Sequence, residues 1–211
     1  AKADSVTVSF KKAPNGVQYS IDNGEKQAYT SGAGITLTKG QTVQFYGNGT
    51  EITGYGSSSP RATISCGDAC YIYGNVMSLV DETGFAVANE VESSAFNALF
   101  AQNANIYNHE TKDLVLPATI LAERCYYGMF NECENLTRAP ELPATTLAPY
   151  CYAFMFQNCR SLTTAPELHA PTLAPFCYYN MFYGCTSLTT APELPATTLA
   201  NYCYNRMFNG C

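Results

Sequence analysis

The same phrase returns along the second half of the chain with a period of 26 residues. "LPATILAERCYYGMFNECENLTRAPE", which begins at Leu116, is followed by "LPATTLAPYCYAFMFQNCRSLTTAPE", "LHAPTLAPFCYYNMFYGCTSLTTAPE" and the incomplete "LPATTLANYCYNRMFNGC". A repeat of this length predicts a solenoid, in which each unit covers the apolar side of its neighbour. A degenerate earlier copy carries a four-residue insertion at 110–113 and is 30 residues long. Because the chain stops at Cys211 in mid-repeat, we expect the natural protein to continue beyond it.

Each repeat divides into an extended part and a part with helical spacing. "SLTTAPELP" predicts a short extended segment, since its prolines exclude a helix and keep any strand short. "APYCYAFMFQNC" predicts a short helix entered through Pro149, because proline is favoured in the first helical turn. Cys151, Met155 and Cys159 recur at four-residue spacing, which would place them on one face of that helix.

The first 75 residues have a different pattern. Apolar residues alternate at Val6, Val8 and Phe10, and similar alternation recurs between turn signals such as Asn23-Gly24 and Lys39-Gly40. Short alternating strands with frequent turns predict an antiparallel β-sandwich-like domain over residues 1–75, followed by the repeat domain over residues 76–211.

The repeated cysteines are interpreted as packing residues, because buried cysteine packs as a small hydrophobe. The spacing of eight within a unit does not suit zinc, and no histidine repeats beside the thiols to activate them. A disulfide between equivalent cysteines is a weaker alternative, because in-register side chains point in parallel. Cys66 and Cys70 are the more plausible disulfide, and the sequence leaves open whether it forms. The repeated residues form two ladders: a first of Cys125, Cys151, Cys177 and Cys203, and a second of Cys133, Cys159, Cys185 and Cys211.

The repeat "MFQNC" at 155–159, followed by Leu162 and Leu168, resembles the cysteine-containing BspA-like leucine-rich repeats of bacterial surface proteins, especially those of gut Bacteroidetes. The resemblance covers residues 90–211. It implies a right-handed solenoid with a parallel sheet on one side, export to the cell surface, and adhesion or binding to host or glycan ligands. With the N-terminal prediction, the expected fold class is α+β: a β-sandwich-like domain and a leucine-rich-repeat solenoid with a narrow sheet and short helices. The departure from the pattern is a proline inside each strand segment, at Pro140, Pro166 and Pro192.

Composition limits the partners. The net charge is −6 with no basic cluster, which argues against nucleic acid and anionic membrane surfaces. No apolar run reaches the ~20 residues of a membrane span. The abundance of Tyr and Thr with few Lys favours a secreted or surface-attached protein whose leader has been removed, and a lipoprotein anchor would lie outside this chain. No cofactor or metal is expected, and the sequence does not define an oligomeric state.

The candidate binding surface consists of residues that recur in columns or vary between units. Two columns lie on the extended segment: Thr137, Arg138, Thr163, Thr164, Thr189 and Thr190, and the carboxylates Glu141, Glu167 and Glu193. Either could bind a partner, although Thr is also simply a good strand residue and the Glu column could be only solvated. Tyr127, Tyr179 and Tyr183 stand at variable, therefore exposed, positions, where they could contact a ligand or be neutral. Tyr46, Tyr55, Tyr71 and Tyr73 could stack on glycans or belong to the core.

The sequence thus predicts a non-enzymatic binding or adhesion protein for a host extracellular protein or glycan. A structural spacer is one alternative, and a carbohydrate-binding accessory protein acting through the N-terminal domain is another. No pair of carboxylates stands in a recognisable hydrolase context, which argues against an enzyme.

Overall fold

The computed structural model describes residues 1–47 and 62–211. Its ten strands are short: β1 Ser5–Lys11, β2 Gln18–Ile21, β3 Gln27–Ala28, β4 Gly34–Thr38, β5 Val43–Tyr46, β6 Thr63–Cys66, β7 Cys70–Ile72, β8 Gly74–Asn75, β9 Ile106–Asn108 and β10 Leu114–Val115. A 3-10 turn spans Val76–Leu79. Tyr55 lies outside the described residues.

The N-terminal region contains two three-stranded antiparallel sheets, with strand orders β4-β1-β6 and β3-β2-β5. Alternation along β1 buries Val6, Val8 and Phe10, as the sequence pattern predicts. Phe10 packs edge-to-face on Phe45 of the second sheet at 5.4 Å between ring centroids. These inward side chains belong to the same apolar core as the repeats.

This region packs directly on the first repeat unit. The backbone N–H of Ile64 in β6 donates to the carbonyl of Leu99 at 2.7 Å, and the Asn105 side chain donates to the carbonyl of Cys66 at 2.9 Å. Two parallel pairings, β7 with β9 and β8 with β10, continue the contact. Gly47 is required at the join, because a Cβ there would lie 1.9 Å from the carbonyl oxygen of Leu79.

The predicted α+β class is wrong. Within residues 1–47 and 62–211 no α-helix forms, and the expected leucine-rich-repeat solenoid of short helices and a narrow parallel sheet is absent. The second half instead consists of turns, short strands and isolated parallel bridges, such as Arg138 with Thr164 and Thr172 with Thr198. Proline in each extended segment lacks the N–H that a continuous ladder needs, which explains why single bridges replace the sheet.

The phrase predicted as a helix, together with its degenerate earlier copy, folds into five turn segments, residues 93–102, 123–132, 149–158, 175–184 and 201–210. Every fourth residue in each has a positive φ, as at Tyr150 (58°), Phe154 (59°) and Asn158 (58°), and this breaks an α-helix. A non-glycine residue in this conformation costs about 1–2 kcal/mol. Interactions from outside the segment must therefore offset the free-energy cost of these positive-φ residues.

Neighbouring turn segments supply that compensation through a regular hydrogen-bond pattern. Alternate residues bond within the segment, as when Met155 N donates to Tyr152 O at 3.2 Å. The residues between them donate to the next unit, as when Tyr152 N donates to Cys177 O at 3.0 Å and Phe156 N to Met181 O at 2.9 Å. Each adjacent pair of turn segments is joined by five such bonds. The units consequently stack in register and bury their apolar side chains in columns.

Candidate functional site

The repeated cysteines lie in the core. All eight ladder cysteines are free thiols, seven of them buried and Cys211 exposed. In the second ladder each thiol donates to a phenylalanine carbonyl of the preceding unit, as Cys159 Sγ does to Phe130 O at 3.1 Å. Cys185 repeats this bond to Phe156 O at 3.0 Å. The thiols therefore tie units together as well as filling space.

The two ladders are less regular in the last unit than the repeat pattern predicts. Cys203 is 5% exposed, whereas Cys151 and Cys177 of the same ladder are completely buried. The backbone of Cys203 still follows the common pattern, since its carbonyl accepts from Tyr178 N at 3.0 Å. Cys211 is exposed, although its thiol keeps the bond to Phe182 O at 3.1 Å. Cys203 stays buried, so the prediction of buried packing thiols is corrected only at Cys211, which no further unit of the described chain covers.

Burial makes the interior thiols poor nucleophiles. Loss of solvation raises the pKa of the Cys133 thiol from its ordinary value near 9.0 to about 12, and Cys125 shifts equally for the same reason. The thiolate is the reactive form, so at neutral pH these groups are protonated and inert. Burial therefore makes Cys125 and Cys133 unsuitable as nucleophiles.

Cys66 and Cys70 are joined by a disulfide, with 6.6 Å between their Cα atoms. The bond connects the end of β6 to the start of β7. It holds a tight connection next to the first repeat unit and lies apart from the thiol ladders.

A column of tyrosines runs beside the first cysteine ladder. Tyr126, Tyr152 and Tyr178 are buried, and the Tyr152 ring stacks between the other two at 5.8 and 5.9 Å. The hydroxyls of Tyr126 and Tyr152 are buried without a hydrogen-bond partner within the described residues. Phe96 occupies the equivalent place one unit earlier and stacks on Tyr126 at 5.6 Å.

We expect Tyr152→Phe to raise the free energy of unfolding by about 1 kcal/mol, because it removes a buried, unpaired hydroxyl and keeps the ring. Urea denaturation of the two proteins measures the difference. Phe96→Tyr is the reverse change and should destabilise by a similar amount. A loss of stability in Tyr152→Phe would show that its hydroxyl is hydrogen-bonded.

The predicted threonine and glutamate columns lie at the surface. Thr137, Thr163, Thr164, Thr189 and Thr190 are exposed, as are Glu141, Glu167 and Glu193, while Arg138 is half-buried. One of these threonine hydroxyls already has a hydrogen-bond partner within the protein, since Thr163 Oγ1 donates to Thr137 O at 3.1 Å. Arg138 and Glu141 are brought together in the wall of a cleft of about 520 Å³.

The turn segments form a second surface, which we call the aromatic strip. It combines the predicted Tyr127 and Tyr179 with four further rings, and its members are Tyr127, Tyr150, Phe154, Phe176, Tyr179 and Tyr202. All six are half-buried or exposed, and Tyr202 is 60% exposed. Tyr183 is half-buried and stands apart from these ring contacts. A repeating aromatic at 150, 176 and 202 was the signal available in the sequence.

A third cluster gathers aromatic and basic side chains near the join of the two halves. His109 packs edge-on against Tyr71 and Tyr73, both at 5.1 Å between centroids. Lys2 Nζ lies 3.7 Å above the Tyr107 ring, and Lys112 Nζ lies 4.7 Å above Tyr73. Tyr71 and Tyr73 are thus brought together as partly exposed rings, whereas Tyr46 lies under Lys26 at 4.4 Å.

In the parts of the chain that the structure describes, no three His, Cys, Asp or Glu side chains converge as a metal site, and no helix is long and apolar enough to cross a membrane. No protein-family model, curated protein or solved structure matches this chain. The resemblance to BspA-like repeats therefore depends on the repeated phrases alone, and function has to be argued from the surfaces just described.

Proposed function

We propose that this protein is a non-enzymatic binding protein of the cell surface and that its aromatic strip contacts an extracellular host protein. The observation that carries the proposal is a continuous row of partly exposed rings crossing four units. Contiguous exposed apolar surface is unusual on a protein without a partner and marks interaction sites. Tyrosine, phenylalanine and arginine are also enriched at protein interfaces.

The ring geometry favours a protein over a sugar as the partner. Tyr150 and Phe176 stack face to face at 4.6 Å, and Phe176 and Tyr202 do so at 4.9 Å. Arg124 covers the other face of Tyr150 at 4.6 Å. Because both faces of Tyr150 and of Phe176 are occupied, these two rings present mainly their edges, whereas a sugar stacks on an open face. Edges and hydroxyls suit side chains and backbone groups of a protein.

The backbone beneath the strip supports a binding role. Phe154 N donates to Tyr179 O at 2.9 Å, and Tyr150 N donates to Pro175 O at 3.1 Å. Residues held in this way lose little further conformational freedom on binding, which lowers the cost of association. The Tyr- and Thr-rich composition and the resemblance to bacterial surface proteins support the proposed location outside the cell.

A second candidate function is carbohydrate binding by the cluster of Tyr71, Tyr73, Tyr107 and His109. The observation that favours it is the gathering of four partly exposed rings with two lysines at one place. One face of Tyr107 and one face of Tyr73 are covered by the flexible side chains of Lys2 and Lys112, which a ligand could displace.

The test is binding of the full chain to arrayed matrix proteins and mucins, before and after enzymatic removal of glycans. The double variant Tyr127→Ala, Tyr179→Ala should lose at least about tenfold in affinity for a protein ligand. Alanine is compatible with the fold there, since Ala153 occupies the equivalent position between them.

Tyr183→Asn is the matched control, because Asn131 and Asn209 occupy its equivalent positions and Tyr183 stands outside the strip. Binding that survives the double variant contradicts the proposal. Binding that disappears with the glycans and with Tyr73→Ala supports the carbohydrate alternative instead.

A further inference from the structure

The repeats depart from regularity at two positions that are far apart in sequence. The first unit carries the insertion at 110–113, and Arg138 replaces the threonine found at Thr164 and Thr190 in later units. In a stack of equivalent units, a residue that serves packing alone has no reason to differ. Departures that meet in space therefore indicate a local role.

The structure brings these two departures into contact. Arg138 Nη2 donates to Asp113 Oδ1 at 2.5 Å and to the backbone oxygen of His109 at 3.2 Å. Beneath it the Asn108 side chain takes the place of a strand neighbour: its Oδ1 accepts from Thr137 N at 2.9 Å and its Nδ2 donates to Arg138 O at 3.0 Å. Hydrogen bonds and one ion pair thus join residues 108–113 to the extended segment that begins at Thr137.

A cleft of about 520 Å³ lies beside these contacts, and Asn108, Asp113 and Arg138 are among its lining residues. One wall is β10, with Leu114 and Val115, and the opposite wall is the extended segment with Pro140, Glu141 and Pro143. The β8–β10 sheet has two strands, so β10 is paired on one side only and its other edge has no strand beside it in the described chain. A free strand edge offers backbone donors and acceptors to an extended partner.

The side chains that line the cleft indicate which class of ligand it can bind. Aliphatic and proline side chains would leave the hydroxyls of a sugar unpaired, whereas they suit the apolar side chains of a peptide. Proline has no N–H, so at Pro140 and Pro143 this wall has a backbone oxygen acceptor without a backbone donor. Glu141 has no ion-pair partner among the described residues, while Asp113 is neutralised by Arg138. The open charge in the cleft is therefore negative.

We propose that this cleft binds an extended peptide segment that places aliphatic side chains between β10 and the 138–143 segment and a lysine or arginine against Glu141. The volume accommodates three to four residues, on the order of a short linear segment of a partner protein. The site shares no residue with the aromatic strip, and the inference holds whether or not the strip binds a protein.

The probe is a fluorescein-labelled, end-capped Leu-Lys-Leu-Val peptide, and its binding to the full chain is followed by fluorescence anisotropy. Saturable binding with a Kd below about 1 mM is expected. The otherwise identical Leu-Glu-Leu-Val peptide should bind at least about tenfold more weakly, because its carboxylate would face Glu141. Glu141→Lys should reverse this preference.

Glu167→Lys is the matched control, since Glu167 occupies the same position one unit further along and does not line the cleft. It should change the affinity by less than about twofold, a small change set by screened long-range charge. Val115→Lys, at a residue 43% exposed, tests the apolar wall without disturbing the core and should weaken binding about tenfold. Absence of saturable binding, equal affinity for the two peptides, or equal effects of Glu141→Lys and Glu167→Lys would each overturn the proposal.

Discussion

Raising the pH from 9 to 11 should unfold this protein with a midpoint at roughly pH 10–11. Burial raises the pKa of Cys125, Cys133, Cys177 and Cys185 from an ordinary value near 9.0 to about 12. Between these two values the unfolded chain has lost thiol protons that the folded chain retains, so stability falls as pH rises. Each thiol contributes up to about 1.4 kcal/mol per pH unit, and the total stability of a domain is about 5–15 kcal/mol.

Other buried groups act in the same direction. Burial raises the pKa of Cys151 and Cys159 well above the ordinary value, and it does the same for the Tyr126 and Tyr152 hydroxyls. Below about pH 9 all of these groups are protonated in both states, and stability should be flat with respect to their titration. The loss should therefore begin near pH 9 and steepen towards pH 11.

Urea denaturation followed by circular dichroism, in steps from pH 7 to 10.5 and with the same phosphine reductant in every sample, measures the slope. Cys125→Ala is the control, since Ala95 occupies the equivalent position one unit earlier. It should reduce the slope above pH 9 by about 1.4 kcal/mol per pH unit. An unchanged slope in this variant would show that thiol burial is not the cause of alkaline unfolding.

The repeat period and the buried columns could be predicted from the sequence, but the local backbone conformation could not. Spacing of four between Cys151, Met155 and Cys159 fits one face of a helix, and it fits equally a turn segment whose conformation repeats every four residues. The two structures bury the same side chains. Apolar periodicity alone does not separate them, because the deciding hydrogen bonds run to another unit.

The residue types at some positive-φ positions are a weaker sequence signal that favours the turn segment over the helix. Gly184 and Asn180 stand at positive-φ positions of one turn segment, and both residue types tolerate that conformation better than most. At Gly184 the space is also limited, because a Cβ would lie 2.4 Å from Asn158 Oδ1. In other units Phe154 and Tyr150 adopt the same positive φ against their preference, which concealed the pattern.

Part of the candidate site could be predicted by comparing equivalent positions in different units. Variation between units selected Tyr127 and Tyr179, and the columns selected Arg138 and Glu141, all by comparison of one unit with another. The cleft beside Arg138 depends on residues 108–115, whose register against the second unit is set by the insertion and by Asn108. Such a contact between non-equivalent positions has no periodic signature.

Phe156→Ala should lower the free energy of unfolding by about 4 kcal/mol, the largest single-residue effect we expect in the repeats. Phe156 is fully buried, and its ring stacks between Phe130 at 5.4 Å and Phe182 at 5.7 Å. Removing the Phe156 ring leaves a cavity in the middle of the aromatic column, and the rings of Phe130 and Phe182 each lose a stacking partner. Urea denaturation gives the size of the loss. Amide hydrogen exchange should show protection falling in the turn segments on both sides, because each unit is stabilised mainly by its neighbours.

Phe154→Asn is the matched control, two residues away on the opposite side of the same backbone. Phe154 is half-buried, and Asn180 occupies its equivalent position in the next unit with a similar φ of 53°. Asparagine tolerates this conformation better than phenylalanine, which offsets the loss of ring contacts to Tyr127 and Tyr179 at 5.1 and 5.2 Å. The net change should stay within about 1 kcal/mol. Equal destabilisation by the two substitutions would contradict the inward placement of Phe156 and, with it, the stacking of the turn segments through buried aromatic columns.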